Sequence, residues 1–201
     1  LRSGAGNSLT RIGVLALQGD FHEHIQALES LGVTTSEVRL PEHLEGLDGL
    51  IIPGGESTTI VKLGDLYGFR EAIRSELDRG MALWGTCAGM IVIASELSDD
   101  RPTPFGYVDM KVSRNWFGRQ VDSFEQDITI DGMDGDPFHC VFIRAPAVES
   151  MGDSVKVLAT VDGETPIAVQ SGKIMATAFH PELTEDTRVH EMFVDLAING
   201  S

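Results

Sequence analysis

Positive charge is scarce in this chain. Its 15 lysines and arginines stand against 31 aspartates and glutamates, giving a formal net charge of −16. That balance argues against the basic footprint of a nucleic-acid-binding protein and against binding to an anionic membrane surface. A protein partner would be expected to bring basic patches. Cysteine is nearly missing as well: Cys87 and Cys140 are the only two, with no Cys-x-x-Cys pair. The count fits a reducing compartment, and a disulfide between the two is unsupported. No apolar run is long enough to span a bilayer, and the opening LRSGAGNSL lacks the apolar middle of a signal peptide. A cytoplasmic location is the resulting expectation. Residues 1–10 are read as a disordered or expression-derived segment, and 11–201 as a single domain of a size one core can serve.

Missing motifs narrow the chemistry further. The phosphate-loop pattern Gly-x-x-x-x-Gly-Lys-Ser/Thr is absent, and LALQGD does not fit a Gly-x-Gly-x-x-Gly dinucleotide fingerprint. His22-Glu23-His24 has the residue types of a metal site, but His-Glu-x-x-His is absent, and histidines two apart on a helix point in different directions. Both are read as surface residues. No cofactor and no metal are expected.

What is present is an alternation of strand and helix. RIGVLAL (11–17), TTSEVRL (34–40), LDGLIIP (47–53) and MALWG (81–85) are short β-rich runs. Between them, DFHEHIQALESLG has apolar residues at helical period, Ser57 or Thr58 is placed to cap a helix, and 68–80 reads as another. AGMIVIASEL (88–97) reads as the helix after the fourth strand. The second half is richer in strand-like runs separated by turns, and 185–198 closes the chain as an amphipathic helix. The pattern predicts an α/β fold with a mostly parallel central sheet flanked by helices, and additional antiparallel strands in the second half.

Gly85-Thr86-Cys87-Ala88-Gly89 sits where a strand runs into a helix. A residue at such a junction is backbone-strained and crowded, and glycines on either side relieve the crowding. The arrangement is that of a nucleophile elbow, with Cys87 standing clear of the backbone at the start of a helix and the Ala88 N–H facing a developing oxyanion. A buried cysteine in a glycine-rich turn is the alternative reading. In AFHPEL, His180 precedes Pro181 and is pushed toward extended geometry, which puts Glu182 on the same side two residues on. Nucleophile, imidazole and orienting carboxylate are then available for a triad. In PGGEST (53–58), the bare backbone of Gly54-Gly55 after a buried strand can supply the second oxyanion donor. Gln18, at the end of the first strand, is a further candidate beside that oxyanion.

PGGEST, GTCAGM and FHPEL, in this order and at these separations, resemble the class I triad glutamine amidotransferases, whose fold is similar to flavodoxin. IGVLALQGDFHEH, RNWFGRQVDSFE (114–125), FIRAP (142–146) and FHPELTED (179–186) narrow the resemblance to the glutaminases of pyridoxal 5′-phosphate synthase complexes, over essentially 11–198. The resemblance implies Cys87 as nucleophile, His180 as base and acid, and Glu182 as its orienting group. It also implies glutamine contacts from Gly55, Glu56, Ser57, Arg114, Ile143 and Arg144. L-glutamine is then the substrate, and a pyridoxal 5′-phosphate synthase subunit the partner that consumes the ammonia. Three rivals remain: a glutaminase serving another synthase, such as the histidine-pathway enzyme; a redox-sensing stress protein of similar topology; and a non-catalytic binding subunit, which the presence of Cys87, His180 and Glu182 together disfavours.

Overall fold

The computed structural model describes residues 9–118 and 122–200. Residues 1–8 of the N-terminal segment and 119–121 of the RNWFGRQ stretch lie outside the described residues. In chain order the elements are β1 (Arg11–Leu15), α1 (Phe21–Ser30), β2 (Thr34–Val38), β3 (Gly49–Ile52), α2 (Ser57–Tyr67), α3 (Phe69–Asp78), β4 (Ala82–Thr86) and α4 (Ala88–Ile93). There follow β5 (Ala94–Leu97), β6 (Val108–Ser113), β7 (Ser123–Ile128), β8 (Phe138–Ile143), β9 (Ala147–Met151), β10 (Lys156–Val161), β11 (Thr165–Ser171), β12 (Ile174–Thr177) and α5 (Arg188–Asn199). Two 3₁₀ turns, Pro41–Leu44 and Pro181–Leu183, complete the path.

The main sheet runs in the order β10-β11-β12-β4-β3-β1-β2. From β12 to β2 every pairing is parallel, while β11 joins β12 and β10 joins β11 in antiparallel sense. The apolar runs explain the centre. Every residue of β3 and β4 is buried, as strands covered on both faces require. Burying side chains such as Ile12, Leu50 and Ile51, all fully inaccessible, stabilises the fold by about 1.5–3 kcal/mol each. On one face, the Trp84 ring of β4 meets Phe193 of α5 at a centroid separation of 5.5 Å. The smaller sheets, β5-β6-β9 and β7-β8, hold most of the additional strands expected in the second half.

Two local expectations are corrected. The helix predicted over 88–97 stops at Ile93 and the chain continues as β5. The carbonyls of Val92, Ile93 and Ala94 accept from the N–H groups of Phe105, Tyr107 and Gly106, so a distant loop takes the partners that another helical turn would have used. The cap of α2 is neither Ser57 nor Thr58. Glu56 occupies that position, and its carboxylate accepts from the Thr58 and Thr59 N–H groups at 3.2 and 2.8 Å.

The junction between β4 and α4 is as tight as the glycines suggest. Cys87 has φ 47° and ψ −105°, a conformation that costs on the order of 1–3 kcal/mol for a residue with a side chain. A Cβ on Gly85 would lie 2.5 Å from the Gly89 carbonyl oxygen, and one on Gly89 would run into the backbone oxygen of Ile52. Both obstacles are main chain, so no rotamer change relieves them. Gly89→Ala is therefore expected to destabilise the fold by about 1–3 kcal/mol. A thermal melt would show a fall of roughly 2–4 °C for each kcal/mol lost. An unchanged melting temperature would mean that β3 and α4 have slack the packing does not show.

Candidate active site

The loops leaving β1, β3, β4 and β12 all emerge at the carboxyl edge of the parallel sheet, the edge where open α/β sheets take ligands. They border a cavity of about 550 Å³. The turn after β3 lines it with Gly55, Glu56 and Ser57, and the elbow with Cys87 and Ala88. Arg114, Ile143, Arg144, Gln18 and His180 complete the predicted set at its wall. Gly54 and Glu182 do not line the cavity. Gly54 packs against the imidazole, where a Cβ would lie 2.7 Å from His180 Cε1, and Glu182 is buried behind the ring.

His180 stands between two groups. Its Nδ1 is 2.7 Å from Glu182 Oε1, and its backbone N–H donates to Val141 at 2.8 Å. Burial would lower the imidazole pKa, but the contacts with Cys87 and Glu182 outweigh it and push it up to about 10. Burial raises Glu182 above its ordinary range, with the neighbouring His180 pulling the other way. Cys87 is nearly buried; its backbone N–H donates to the Thr177 carbonyl at 2.8 Å, and its Sγ lies 3.9 Å from the Ile143 oxygen. The pairing of His180 and Glu182 does not arise from extended geometry as predicted. β12 ends at Thr177, and Pro181–Leu183 forms a 3₁₀ turn that folds the carboxylate back onto the ring.

The glycine loop is held from the β1 side. The Glu56 N–H donates to Gln18 Oε1 at 2.7 Å, and the Gly54 carbonyl accepts from the Asp20 N–H at 3.1 Å. Gly55 has φ 153°, and a Cβ there would run into the Gln18 side chain. Arg114 donates to the Arg101 carbonyl at 2.8 Å and has its Nη2 at 3.6 Å from Glu56 Oε1. Partial burial works to raise the Glu56 pKa, but the Thr59 and Thr58 N–H groups outweigh it and hold the carboxylate ionised. Arg144 has φ 42° beside the cavity, another strained residue at the same edge.

Four lining residues are not among the predicted site residues: Asp20, Ile91, Asp99 and Asn115. Asp20 follows Gln18-Gly19 directly and Asn115 follows Arg114, so adjacency to residues already singled out was the available signal. Nothing in SDDRP marks Asp99. Asp20, His180 and Glu182 bring three ligand-type atoms within 4.8 Å of one another. A metal there would have to take the His180 Nδ1 from Glu182.

His22 is exposed as expected, but His24 is not a surface residue. It is fully buried under the elbow. Its Nδ1 is 2.9 Å from Nε2 of His190, which α5 brings from the other end of the chain. Its Nε2 is 3.3 Å from Thr86 Oγ1 and 3.4 Å from Glu182 Oε2. Burial first, then repulsion from His190 and His180, lowers the His24 pKa well below the ordinary imidazole value. Burial lowers His190 to about 4. The missed signal was helical register: His24 is four residues before Leu28, and these two are the buried residues of α1.

A family model for the SNO glutamine amidotransferase family matches residues 14–199. The chain is 52% identical over 188 residues to a Frankia alni protein named pyridoxal 5′-phosphate synthase subunit PdxT, covering 92% of this chain and 94% of that one. A Thermus thermophilus protein of the same name is 53% identical over 188 residues, covering 92% and 97%. A solved structure described as a glutamine amidotransferase superposes with a TM-score of 0.88 at 51% identity, over 92% of this chain and 98% of that one. The structure of PurLQS from Thermotoga maritima shares the fold, with a TM-score of 0.70 at 17% identity over 93% and 98% of the two chains. The family match runs from within β1 to the last residue of α5, and so takes in every loop that borders the cavity: the chain belongs to the SNO glutamine amidotransferase family.

Proposed function

We propose that this chain is the glutaminase subunit of a pyridoxal 5′-phosphate synthase, with Cys87, His180 and Glu182 as its catalytic triad. The observation that carries the reading is the His180 imidazole at the cavity wall, held by Glu182 at 2.7 Å and sharing that wall with Cys87. A pKa of about 10 keeps that ring protonated at neutral pH, with a proton to give to the departing nitrogen. The Cys87 thiolate attacks the side-chain amide carbon of L-glutamine. The Ala88 N–H and an N–H of the Gly54-Gly55 stretch receive the oxyanion. His180 passes its proton to the departing nitrogen, which leaves as ammonia, and a γ-glutamyl thioester remains on Cys87. Water activated by His180 then releases glutamate and restores the thiol.

The cavity suits the rest of the amino acid. The Arg114 and Arg144 guanidiniums are available for the α-carboxylate. Glu56 and the backbone of Gly55 and Ser57 face the same space, with the Ile143 main chain opposite. Ammonia at neutral pH is mostly protonated and no longer nucleophilic, so its release is useful where a second active site receives it directly. The relatives' names supply that acceptor, a synthase whose other subunit would dock over this cavity. The Gly54 carbonyl is tied to the Asp20 N–H, so a peptide flip in the oxyanion loop on docking would have to break that bond. A reducing cytoplasm is the setting in which a free Cys87 thiol persists.

Release of glutamate from glutamine should be measured with and without the synthase partner. Cys87→Ala is expected to abolish it, and Glu182→Gln to lower kcat by roughly 10³–10⁴-fold, by analogy with loss of the orienting carboxylate in other triads. Turnover surviving in Cys87→Ala would remove the covalent mechanism. The pH profile gives a second check. His180 acts as a cation, so its raised pKa preserves activity as pH rises and the basic limb of kcat/KM should fall near pH 10. A limb near the ordinary imidazole value of about 6.5 would show that His180 is not held as a cation.

A further inference from the structure

The carboxylate of Glu182 uses one oxygen, Oε1, to hold His180. Its other oxygen, Oε2, is cut off from water and has no hydrogen-bond partner among the described residues. An ionised carboxylate oxygen left bare in an interior is costly. The polar atom placed to serve it is Nε2 of His24, at 3.4 Å. Both side chains are fully inaccessible, so no solvent competes. We propose that His24 is a positioning residue of this site, donating its Nε2–H to Glu182 Oε2, and that His190 fixes His24 in the tautomer able to do so. The inference rests on the glutaminase reading for its consequence, and on the buried contacts for its geometry.

The tautomer follows from counting protons along the chain of contacts. His24 Nδ1 and His190 Nε2 are 2.9 Å apart, so one of them carries the shared proton. If His24 Nδ1 carried it, His24 Nε2 would turn a bare lone pair toward the Glu182 carboxylate. His190 would then hold its proton on Nδ1, which is buried without a partner. That arrangement orphans a donor and sets two acceptors against each other. With the proton on His190 Nε2, His24 Nδ1 accepts it and His24 Nε2 carries the N–H. Thr86 Oγ1, at 3.3 Å, and Glu182 Oε2 then share that donor. His190 Nδ1 is left as an unpaired acceptor, a smaller penalty than an unpaired N–H. The imidazole donors then converge on Glu182: His190 to His24, His24 to Oε2, and His180 to Oε1 from the other side.

The titratable groups around Glu182 can be named element by element. The loop into α1 brings Asp20, whose charge works to raise the Glu182 pKa, and α1 itself brings His24. The residues after β12 bring His180, and α5 brings His190 behind His24. β8, packed against the same 3₁₀ turn, carries Cys140, a thiol that burial pushes up to about 12 and that stays neutral. Of these, His24 and His180 are the two that can donate to the carboxylate. Without the His24 donor, Glu182 would take up a proton at higher pH and lose its hold on His180.

The test compares His24→Leu, which has no donor, with His24→Gln, whose amide N–H can reach the Nε2 position, each in complex with the synthase partner. His24→Leu is expected to lower kcat by roughly 10–100-fold with little change in KM for glutamine. The acid limb of its kcat/KM profile should move up by about one pH unit or more. His24→Gln should keep the wild-type limb and most of kcat. If both variants lose only thermal stability, with kcat per folded molecule and the pH profile unchanged, His24 is packing and the inference fails. Imidazole ¹⁵N resonances of the wild-type protein give an answer that needs no variant to fold and no turnover. They should show His24 protonated on Nε2 and bare on Nδ1; a proton on Nδ1 alone, or on both nitrogens, would overturn the inference. Wild-type complex that does not hydrolyse glutamine would refute the glutaminase reading, and the tautomer would still decide whether His24 serves Glu182.

Discussion

The bond from the Cys87 N–H to the Thr177 carbonyl carries the parallel ladder between β4 and β12 one step past the end of the strands. It ties the strained turn that presents the thiol to the strand that leads to His180. The two segments are far apart in sequence, and only their adjacency in the sheet sets the distance between sulfur and imidazole. β3, on the other side of β4, delivers the Gly54-Gly55 turn to the same place, and β1 delivers Gln18 and Asp20 to hold that turn. A site assembled from the ends of neighbouring strands inherits the rigidity of the sheet. That rigidity is what keeps Cys87 at positive φ, since relaxing it would require β4 to move against two parallel neighbours.

Beneath this edge the structure buries the His24 and His190 imidazoles and the Glu182 carboxylate, with the His180 ring between them and the cavity. Such a cluster is tolerated only if protons are distributed so that each charge has a counterpart. His180 is bonded to the Glu182 carboxylate, and that carboxylate and Cys87 together push its pKa up. His24 and His190 face each other, with Trp84 against both rings, and burial holds them neutral. Identical side chains are thus driven to opposite charge states by what surrounds them, and the difference separates a proton carrier from a hydrogen-bond donor of fixed direction.

Much of the local structure was legible in the chain. Gly85 and Gly89 announce the elbow because the crowding they relieve lies within a few residues of Cys87 or on the next strand. The strand–helix alternation shows the parallel sheet through periodicity. Other features were legible for a partly wrong reason. Glu182 does meet His180, but through a 3₁₀ turn rather than an extended segment. The helix predicted to 97 ends at 93 because N–H groups of residues 105–107 take its last carbonyls, and no window centred on 88–97 contains them. His24 differs from the exposed His22 because it shares the buried face of α1 with Leu28, which a spacing of two from His22 does not show.

The sequence by itself determined what depends on near neighbours: the strand and helix periods, the glycines that allow a cysteine at positive φ, and the proline that bends the chain after His180. Its resemblance to known amidotransferases extended that reach to the order of the three loops. Tertiary structure alone decided which histidines are charged, which carboxylate oxygen needs a donor, and that α5 returns to place His190 against His24, 166 residues away. The division has a physical cause. Steric limits on the backbone are set within a few residues, whereas burial, dielectric and hydrogen-bond partners belong to a point in space that distant segments reach together.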